Sequence, residues 1–419
     1  MKKLNSICFA LILGFLFFSC GRNKEDQKIP DIDPELLTPI DVKLSQIADN
    51  IRIVNLETDS DCMLSGEATF QVGDKYIIAI QSDGIYQFSI DGSFIRKLVN
   101  VGRAPEEILS MGEVCLDEPE DILMVVSKIY DIHCYRLTTG EFLGAKGRPS
   151  LQPHEVLRRC VYMGDSKILY SYTASGLVNP DMYGCGVRVQ KLGGEVLWQH
   201  EFNYNSVHIY SPEFKYRTGS RIFLLSTGFP DEYILQVDDQ DTVYKLNTST
   251  FTLRPDFIKR IEKIKVDGYP VCMFVDNCTV ETDEYARVNG YQLITYIYVN
   301  KATYESSRAW EGDRYYVIYD DNKKEAHRIG VFENDYFGFF HETKGDDKAS
   351  HNFPTLLSPI GKLVEKYEAF SFLQFVDEAL ANPQLDATVR DRLLDISGKV
   401  TEISNPILLI GDIKEKIDL

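Results

Sequence analysis

The stretch "YQFSIDGSFIRKL", residues 86 to 98, alternates apolar and polar residues on both sides of a glycine. Such alternation marks half-buried strands, and a glycine between two of them marks a hairpin turn. Gly92 suits that turn because many hairpin turns need a positive φ, which glycine adopts at little cost. The phrase recurs. Residues 135 to 147 read "YRLTTGEFLGAKG", around Gly140, and residues 189 to 202 read "VQKLGGEVLWQHEF", around Gly194. Residues 243 to 255, "VYKLNTSTFTLRP", keep the turn without its glycine, around Thr248. The glycines follow one another at steps of 48 and 54 residues.

An apolar run precedes each phrase: "KYIIAIQ" (75 to 81), "DILMVVS" (121 to 127), "KILYSYT" (167 to 173) and "RIFLLST" (221 to 227). Each unit thus holds about four short strands in some fifty residues, and a four-stranded sheet repeated every ~40–50 residues is the mark of a β-propeller. One such sheet cannot bury both faces alone. Stacked radially, each covers its neighbour.

Beyond residue 255 the pattern blurs. "PVCMFVDNCTVET" (270 to 282), "GYQLITYIYVN" (290 to 300) and "RYYVIYDDNKKEAHRIG" (314 to 330) form a fifth unit, and "YFGFFHE" (336 to 342) begins a sixth. Leu363, Tyr367, Phe370, Leu373 and Val376 fall three or four apart, which predicts one helical face in a helical insertion at about 360–400. A second helix follows Asp386, a fitting N-cap, with Val389, Leu393, Ile396 and Val400 on its inner face. "NPILLIGDIKEKI" (405 to 417) reads as a last strand, and "NIRIVNLETD" (50 to 59) as its partner from the other terminus, closing the ring. The expected fold is all-β, a six-bladed β-propeller over residues 46–419.

A net charge of −18 repels polyanions, so no nucleic-acid partner is expected. Cys8 and Cys20 lie in the leader, and seven cysteines remain. No C-x-x-C pair occurs, and most of the seven sit in apolar runs as small hydrophobes. Cys272 and Cys278 are six apart, a spacing that suits a disulfide across a hairpin.

The leader "MKKLNSICFALILGFLFFSCG" has a basic start, a short apolar run and a small residue before Cys20, the plan of a secretory signal over residues 1–19. Leu16 to Cys20 resembles a bacterial lipobox, although Phe17 stands where leucine is usual. That resemblance implies lipidation of Cys20. Gly21 stands where an inner-membrane lipoprotein would carry Asp, and Lys24-Glu25-Asp26 resembles a surface-export signal of Bacteroidetes. Residues 20–45, with Pro30, Pro34 and Pro39 among many charges, read as a flexible tether.

Taken with "IRIVNLET", "IYQFSIDGSFIRKL" and "VGRAPEEI" (101 to 108), these features resemble the six-bladed β-propeller lipoproteins of Bacteroidetes. The last stretch keeps Gly102, Pro105 and Glu107 of that family's pattern but has Ala104, Glu106 and Ile108 where two glycines and an aromatic are usual. The resemblance implies a fold and an outer-membrane address, periplasmic or cell-surface facing, and imports almost no chemistry.

The residues themselves carry little more. The seven histidines form neither H-E-x-x-H nor H-x-H, so no metal site is expected, and no cofactor fingerprint occurs. "YGCGVRV" (183 to 189) lacks the third glycine of a dinucleotide loop. "VDDQD" (237 to 241) lacks the glycine and distal glutamate of an EF-hand loop and reads as a hairpin turn. "DEPED" (117 to 121) reads as a blade-to-blade loop. Asp241-Thr242-Val243 resembles an O-glycosylation site of Bacteroidetes secreted proteins. Arg103, Glu106 and Glu107 form the candidate ligand-face loop. The expected role is a lipid-anchored binding or scaffold module for a glycan, a peptide or a partner protein. The rival is a hydrolase or lyase with its site in the channel mouth, which requires titratable groups with shifted pKa values converging in one pocket.

Overall fold

The computed structural model describes residues 31–32, 36–127, 129–174, 184–202, 205–211, 214–219, 222–226, 231–237, 240, 242–259, 263–266, 269–275, 278–281, 285–288, 291–300, 312–320, 323, 325–342, 356–357, 361–414 and 416–417. Six antiparallel sheets stand in a ring, a six-bladed β-propeller. Blade 1 is Thr69–Val72, Tyr76–Gln81, Gly84–Ser89 and Phe94–Asn100. Blade 2 is Met111–Asp117, Ile122–Ser127, Ile132–Arg136 and Phe142–Ala145. Blade 3 is Glu155–Tyr162, Lys167–Ala174, Gly184–Lys191 and Val196–Phe202. Blade 4 is Ile222–Ser226, Glu232–Val237, Thr242–Asn247 and Thr252–Lys259. The first strands of blades 2, 3 and 4 touch one another in succession and form the inner wall.

Blade 5 belongs to a larger sheet. Its first strand is broken into Cys278–Glu281 and Tyr285–Val288, both paired with Tyr291–Asn300, and Gly312–Asp320 and Glu325–Asn334 follow. "YFGFFHE" does not begin the sixth unit: Phe339–Glu342 folds back on Glu325–Asn334. Likewise "RIFLLST" holds the first strand of blade 4, whereas its counterparts in blades 1 to 3 are second strands. The second strand of blade 4 is the shorter apolar run in Glu232–Val237.

Blade 6 joins the two termini. Leu356–Leu357, Lys362–Tyr367 and Ile407–Ile413 come from the C-terminal side, and Ala48–Asn55 adds the outermost strand by antiparallel pairing with Ile407–Ile413. The predicted closure is therefore present. Asn405 ties it: its side chain accepts from Leu64 N at 2.8 Å and donates to the carbonyls of Glu57 and Cys62 at 2.6 and 2.8 Å. The N-terminal segment does more than close blade 6. Asp31–Ile32 lies parallel on the outer strand of blade 4, and Pro39–Lys43 lies parallel on Glu325–Asn334 of blade 5. These strands fall within 20–45, where prolines and charges point to a tether. Helix α1, Leu44–Ile47, buries Leu44 and Ile47 on the way to blade 6.

Two helices, α2 (Ala369–Ala381) and α3 (Ala387–Ser397), are inserted between the second and third strands of blade 6. The helical face expected from Leu363 onward is wrong at its start. Leu363 and Tyr367 lie in a strand, and Phe370 is exposed. A spacing of four satisfies both the helical and the strand period, so those two residues fit either reading. Of the expected face, helix α2 keeps Val376 buried and Leu373 partly buried, and it buries Ala369, Phe372 and Ala379 beside them. Asp386 caps α3 as expected, accepting from Thr388 N and Val389 N.

The core lies in the seams. Separate apolar clusters fill the space between blades 6 and 1, 1 and 2, 2 and 3, and 3 and 4, and another joins blades 5 and 6 with both helices. Buried polar groups cross the same seams. Gln87 of blade 1 donates to Leu137 O at 3.0 Å, and Ser171 of blade 3 donates to Ile222 O of blade 4 at 2.9 Å.

The repeated phrase has a structural meaning. In each of blades 1 to 4 the turn between third and fourth strands contacts the blade before it or the connection from it. The Gly92 turn meets Asn55, the Gly140 turn meets Arg96, the Gly194 turn bonds Ser150, and Phe251 stacks on Trp198. Gly92 has φ +95, and a Cβ there would collide with the Asn55 carbonyl oxygen. Gly194 has φ +97 but open space around it. Gly92→Ala therefore incurs both strain and a backbone clash, and Gly194→Ala strain alone. A left-handed alanine costs roughly 1–2 kcal/mol. We expect Gly194→Ala to lose about that much and Gly92→Ala clearly more, read from urea midpoints at constant m.

Candidate functional site

The candidate loop 101–110 connects the outer strand of blade 1 to the inner strand of blade 2. Gly102 N donates to Ile108 O at 2.9 Å, and Glu107 N to Ala104 O at 3.0 Å. The Glu107 carboxylate folds inward and accepts from Ala104 N at 2.9 Å. It lies so close to Gly102 that a Cβ there would push it aside. The Tyr135 hydroxyl of blade 2 donates to Glu106 O at 3.0 Å and fixes the loop from below. Arg103 and Glu106 are exposed, while Glu107 is half-buried. Of the three candidate residues, Glu107 holds the loop and the other two face solvent.

The inner wall of blades 2 and 3 carries a charged group that the sequence did not single out. The first strand of blade 3 bulges between Leu157 and Arg159, and the first strand of blade 2 is irregular between Met111 and Val114. Bulges re-aim side chains and end regular pairing. Here they lie beside Glu113 and Arg159, which pair across the seam at 2.9 and 3.1 Å. That pair is half-exposed, so solvent screens it and it adds little stability. Arg158, in the bulge, donates to Thr173 Oγ1 at 2.9 Å.

Behind this wall Arg188 and Glu155 are buried and bonded twice, at 2.6 and 2.8 Å. Arg188 also donates to Ser150 O at 3.0 Å and lies 4.0 Å over the Tyr172 ring. Burial alone would lower the pKa of this guanidinium, but the Glu155 bonds override it and hold the group charged. A buried ion pair with its remaining donors satisfied fixes geometry more than it adds stability. Gly184–Lys191, which covers most of "YGCGVRV", is the strand that carries Arg188.

At the ends where first strands turn into second strands, "DEPED" does something unforeseen. It is the hairpin turn inside blade 2, not a connection between blades. Its side chains nevertheless reach both neighbours. Glu118 accepts from the backbone N–H groups of Asp74, Lys75 and Tyr76 in blade 1, at 2.8 to 3.1 Å. Glu120 accepts from Tyr162 and from Asp165 N in blade 3. On the other side of blade 1, Lys362 of blade 6 pairs with Asp74 at 3.0 Å. Glu232–Val237 and Thr242–Asn247 pair antiparallel, while Asp238, Asp239 and Asp241 of "VDDQD" lie outside the described residues.

The most perturbed carboxyl among the described residues is far from open. Glu365, on the second strand of blade 6, is buried, and burial pushes its pKa up to about 8 against the opposing hydrogen bonds from Tyr367 and Asn334. Asn334, at the end of blade 5, donates to Glu365 Oε2 and to the Tyr367 hydroxyl, both at 3.1 Å. Glu365 Oε1 has no partner among the described residues. Burial likewise lowers the pKa of His133 and of His200. Burial lifts Cys62 and Cys134 to about 11 and Cys115 to about 12, so these thiols behave as apolar groups. Among the described residues no three His, Cys, Asp or Glu side chains gather as metal ligands.

Cys20, the expected lipidation site, lies outside the described residues, as does Asp241 of the glycosylation-like triplet. The side chains of Cys272 and Cys278 also lie outside them, although the backbone register sets Val275, not Cys272, opposite Cys278.

Residues 28–412 match the family model described as "Domain of unknown function (DUF4934)". The chain is a member of the DUF4934 family. Comparison with curated proteins gives no match. Among solved structures, this DUF4934 chain is similar to a Bacteroides fragilis protein assigned as exported, at 16% identity, covering 90% of this chain and 98% of that one, with a TM-score of 0.56. It is also similar to a DUF4221 family member from Bacteroides vulgatus, at 11% identity over 88% and 97% of the two chains, with a TM-score of 0.44. The first likeness supports the fold, and the second is too loose to bear on anything further.

Proposed function

We propose that this DUF4934 chain is an outer-membrane lipoprotein, anchored through Cys20, that works as a binding or scaffold module for a glycan, a peptide or a partner protein. The observation that carries the binding role is the 101–110 loop. Its backbone is braced by Glu107 and Tyr135, while Arg103 and Glu106 are left to solvent. Recognition residues are commonly displayed on loops that a rigid scaffold positions. Bracing before contact spares the ordering cost of binding. The anchor rests on the leader, with its basic start, short apolar run and lipobox-like end at Cys20. No helix among the described residues is long and apolar enough to cross a membrane.

Two measurements test this reading. Labelled palmitate should be incorporated by the wild-type chain and not by Cys20→Ala; incorporation that survives the substitution removes the anchor. A glycan and peptide screen on residues 21–419 should yield a ligand whose affinity falls about tenfold or more in Arg103→Ala/Glu106→Ala, the loss of roughly one charge-assisted hydrogen bond. A ligand indifferent to that double change sinks the loop as the recognition surface.

A further inference from the structure

Phe251 has φ +51. A bulky side chain in the left-handed region is a backbone outlier, and such strain persists where the surroundings hold it for a purpose. The matching turns of blades 1 to 3 put glycine in that region, at Gly92, Gly140 and Gly194. Blade 4 alone of these four keeps a phenyl ring there, and the ring is partly exposed.

The strained residue completes an aromatic row. The Phe251 ring lies nearly parallel to Trp198 of blade 3, with centroids 6.0 Å apart and planes 8° from parallel. Trp198 is in turn nearly parallel to His200, at 6.3 Å and 13°. Trp198 and His200 are two apart on the outer strand Val196–Phe202 and so share one face. His200 meets the buried Phe202 edge-on at 4.6 Å, which anchors the inner end of the row. Polar groups flank the outer end: the exposed Thr250 Oγ1 lies 2.8 Å from Oδ1 of the half-buried Asn247 and 2.9 Å from Oγ1 of the exposed Thr252. Burial keeps His200 toward its neutral form, so the row itself is uncharged.

We propose that the Phe251–Trp198–His200 row, at the rim between blades 3 and 4, is a binding site for a neutral saccharide. The C–H face of a pyranose ring is apolar and flat enough to lie on an aromatic surface. Its rim of hydroxyl groups requires nearby partners, and the exposed Thr250 and Thr252 supply them. An acidic saccharide is disfavoured by the net charge of −18. The site rests on the binding-module reading but is separate from the 101–110 loop.

Phe251→Gly separates binding from structure. Glycine relaxes the left-handed turn as in blades 1 to 3, so a ring kept for binding can be lost without cost to the fold. The full-length protein in detergent is titrated calorimetrically with cellohexaose, maltohexaose, mannohexaose and xylohexaose. We expect at least one to bind, Phe251→Gly to weaken it about tenfold, as befits one lost stacking contact, and the Tm to stay level or rise. Three results overturn the proposal: no hexasaccharide binds, binding survives Phe251→Gly, or Phe251→Gly lowers the Tm, which would make the ring a packing element. A peptide ligand sensitive to Arg103→Ala/Glu106→Ala, with no saccharide bound, would leave the binding-module reading standing and remove this site alone.

Discussion

Deleting residues 1–55 abolishes the cooperative unfolding transition, whereas deleting residues 1–30 leaves it intact. The first deletion takes the outer strand of blade 6 and the added strands of blades 4 and 5. It also removes Ile32, Val42, Leu44, Ile47 and Val54, all at most 5% exposed. At about 2 kcal/mol for each buried aliphatic side chain, the loss is on the order of 10 kcal/mol. That matches the whole stability of an ordinary domain, about 5–15 kcal/mol. The deletion further bares the edge of Ile407–Ile413, whose Leu408 and Leu409 are fully buried in the intact ring, and an open apolar edge invites aggregation. Urea unfolding followed by circular dichroism decides the matter. A sharp transition near the wild-type midpoint in the 56–419 chain would show that the ring closes without its N-terminal strand.

Glu365→Gln removes most of the pH dependence of stability between pH 5 and pH 8. The folded pKa is raised from 4.5 to about 8, so within that window the folded chain holds a proton that the unfolded chain has released. Stability then falls as pH rises, by up to about 1.4 kcal/mol per pH unit, and levels off above pH 8. Over three units that is at most about 4 kcal/mol, an upper bound for a group that can relax or admit water. Glutamine cannot ionise, and its oxygen can still accept from Asn334. Its amide places a donor where Glu365 Oε1 now lies unpartnered, so the variant carries a constant penalty of about 1–3 kcal/mol. The slope is therefore the quantity to compare. Equal slopes for wild type and variant would mean that Glu365 titrates near its ordinary value.

The hairpin phrase was legible because two signals coincide there, a period of two and a left-handed turn residue. The closing strand was legible because "NIRIVNLETD" alternates and has no partner in its own neighbourhood. Leu363 and Tyr367 mislead because four residues fit two periods at once. Residues 31–43 mislead because Pro39 starts a strand on an outer edge, a place where a missing N–H is tolerated. The clasps of Glu118 and Glu120 join residues more than 40 apart in the chain, and local pattern holds no trace of such pairs. Arg103 and Glu106 stand out through glycine and proline punctuation, yet nothing local distinguishes them from Glu107, which turns inward. The aromatic row is invisible in the sequence because Phe251 and Trp198 belong to different units and meet only in the folded ring.

The order of synthesis makes the N-terminal strands wait. Ala48–Asn55 is made about 350 residues before its partner Ile407–Ile413. Contacts so distant in sequence slow folding. Until they form, blades 4, 5 and 6 each lack an outer strand. For this topology the ring closes only once Ile407–Ile413 has been made and meets the strand that waited for it.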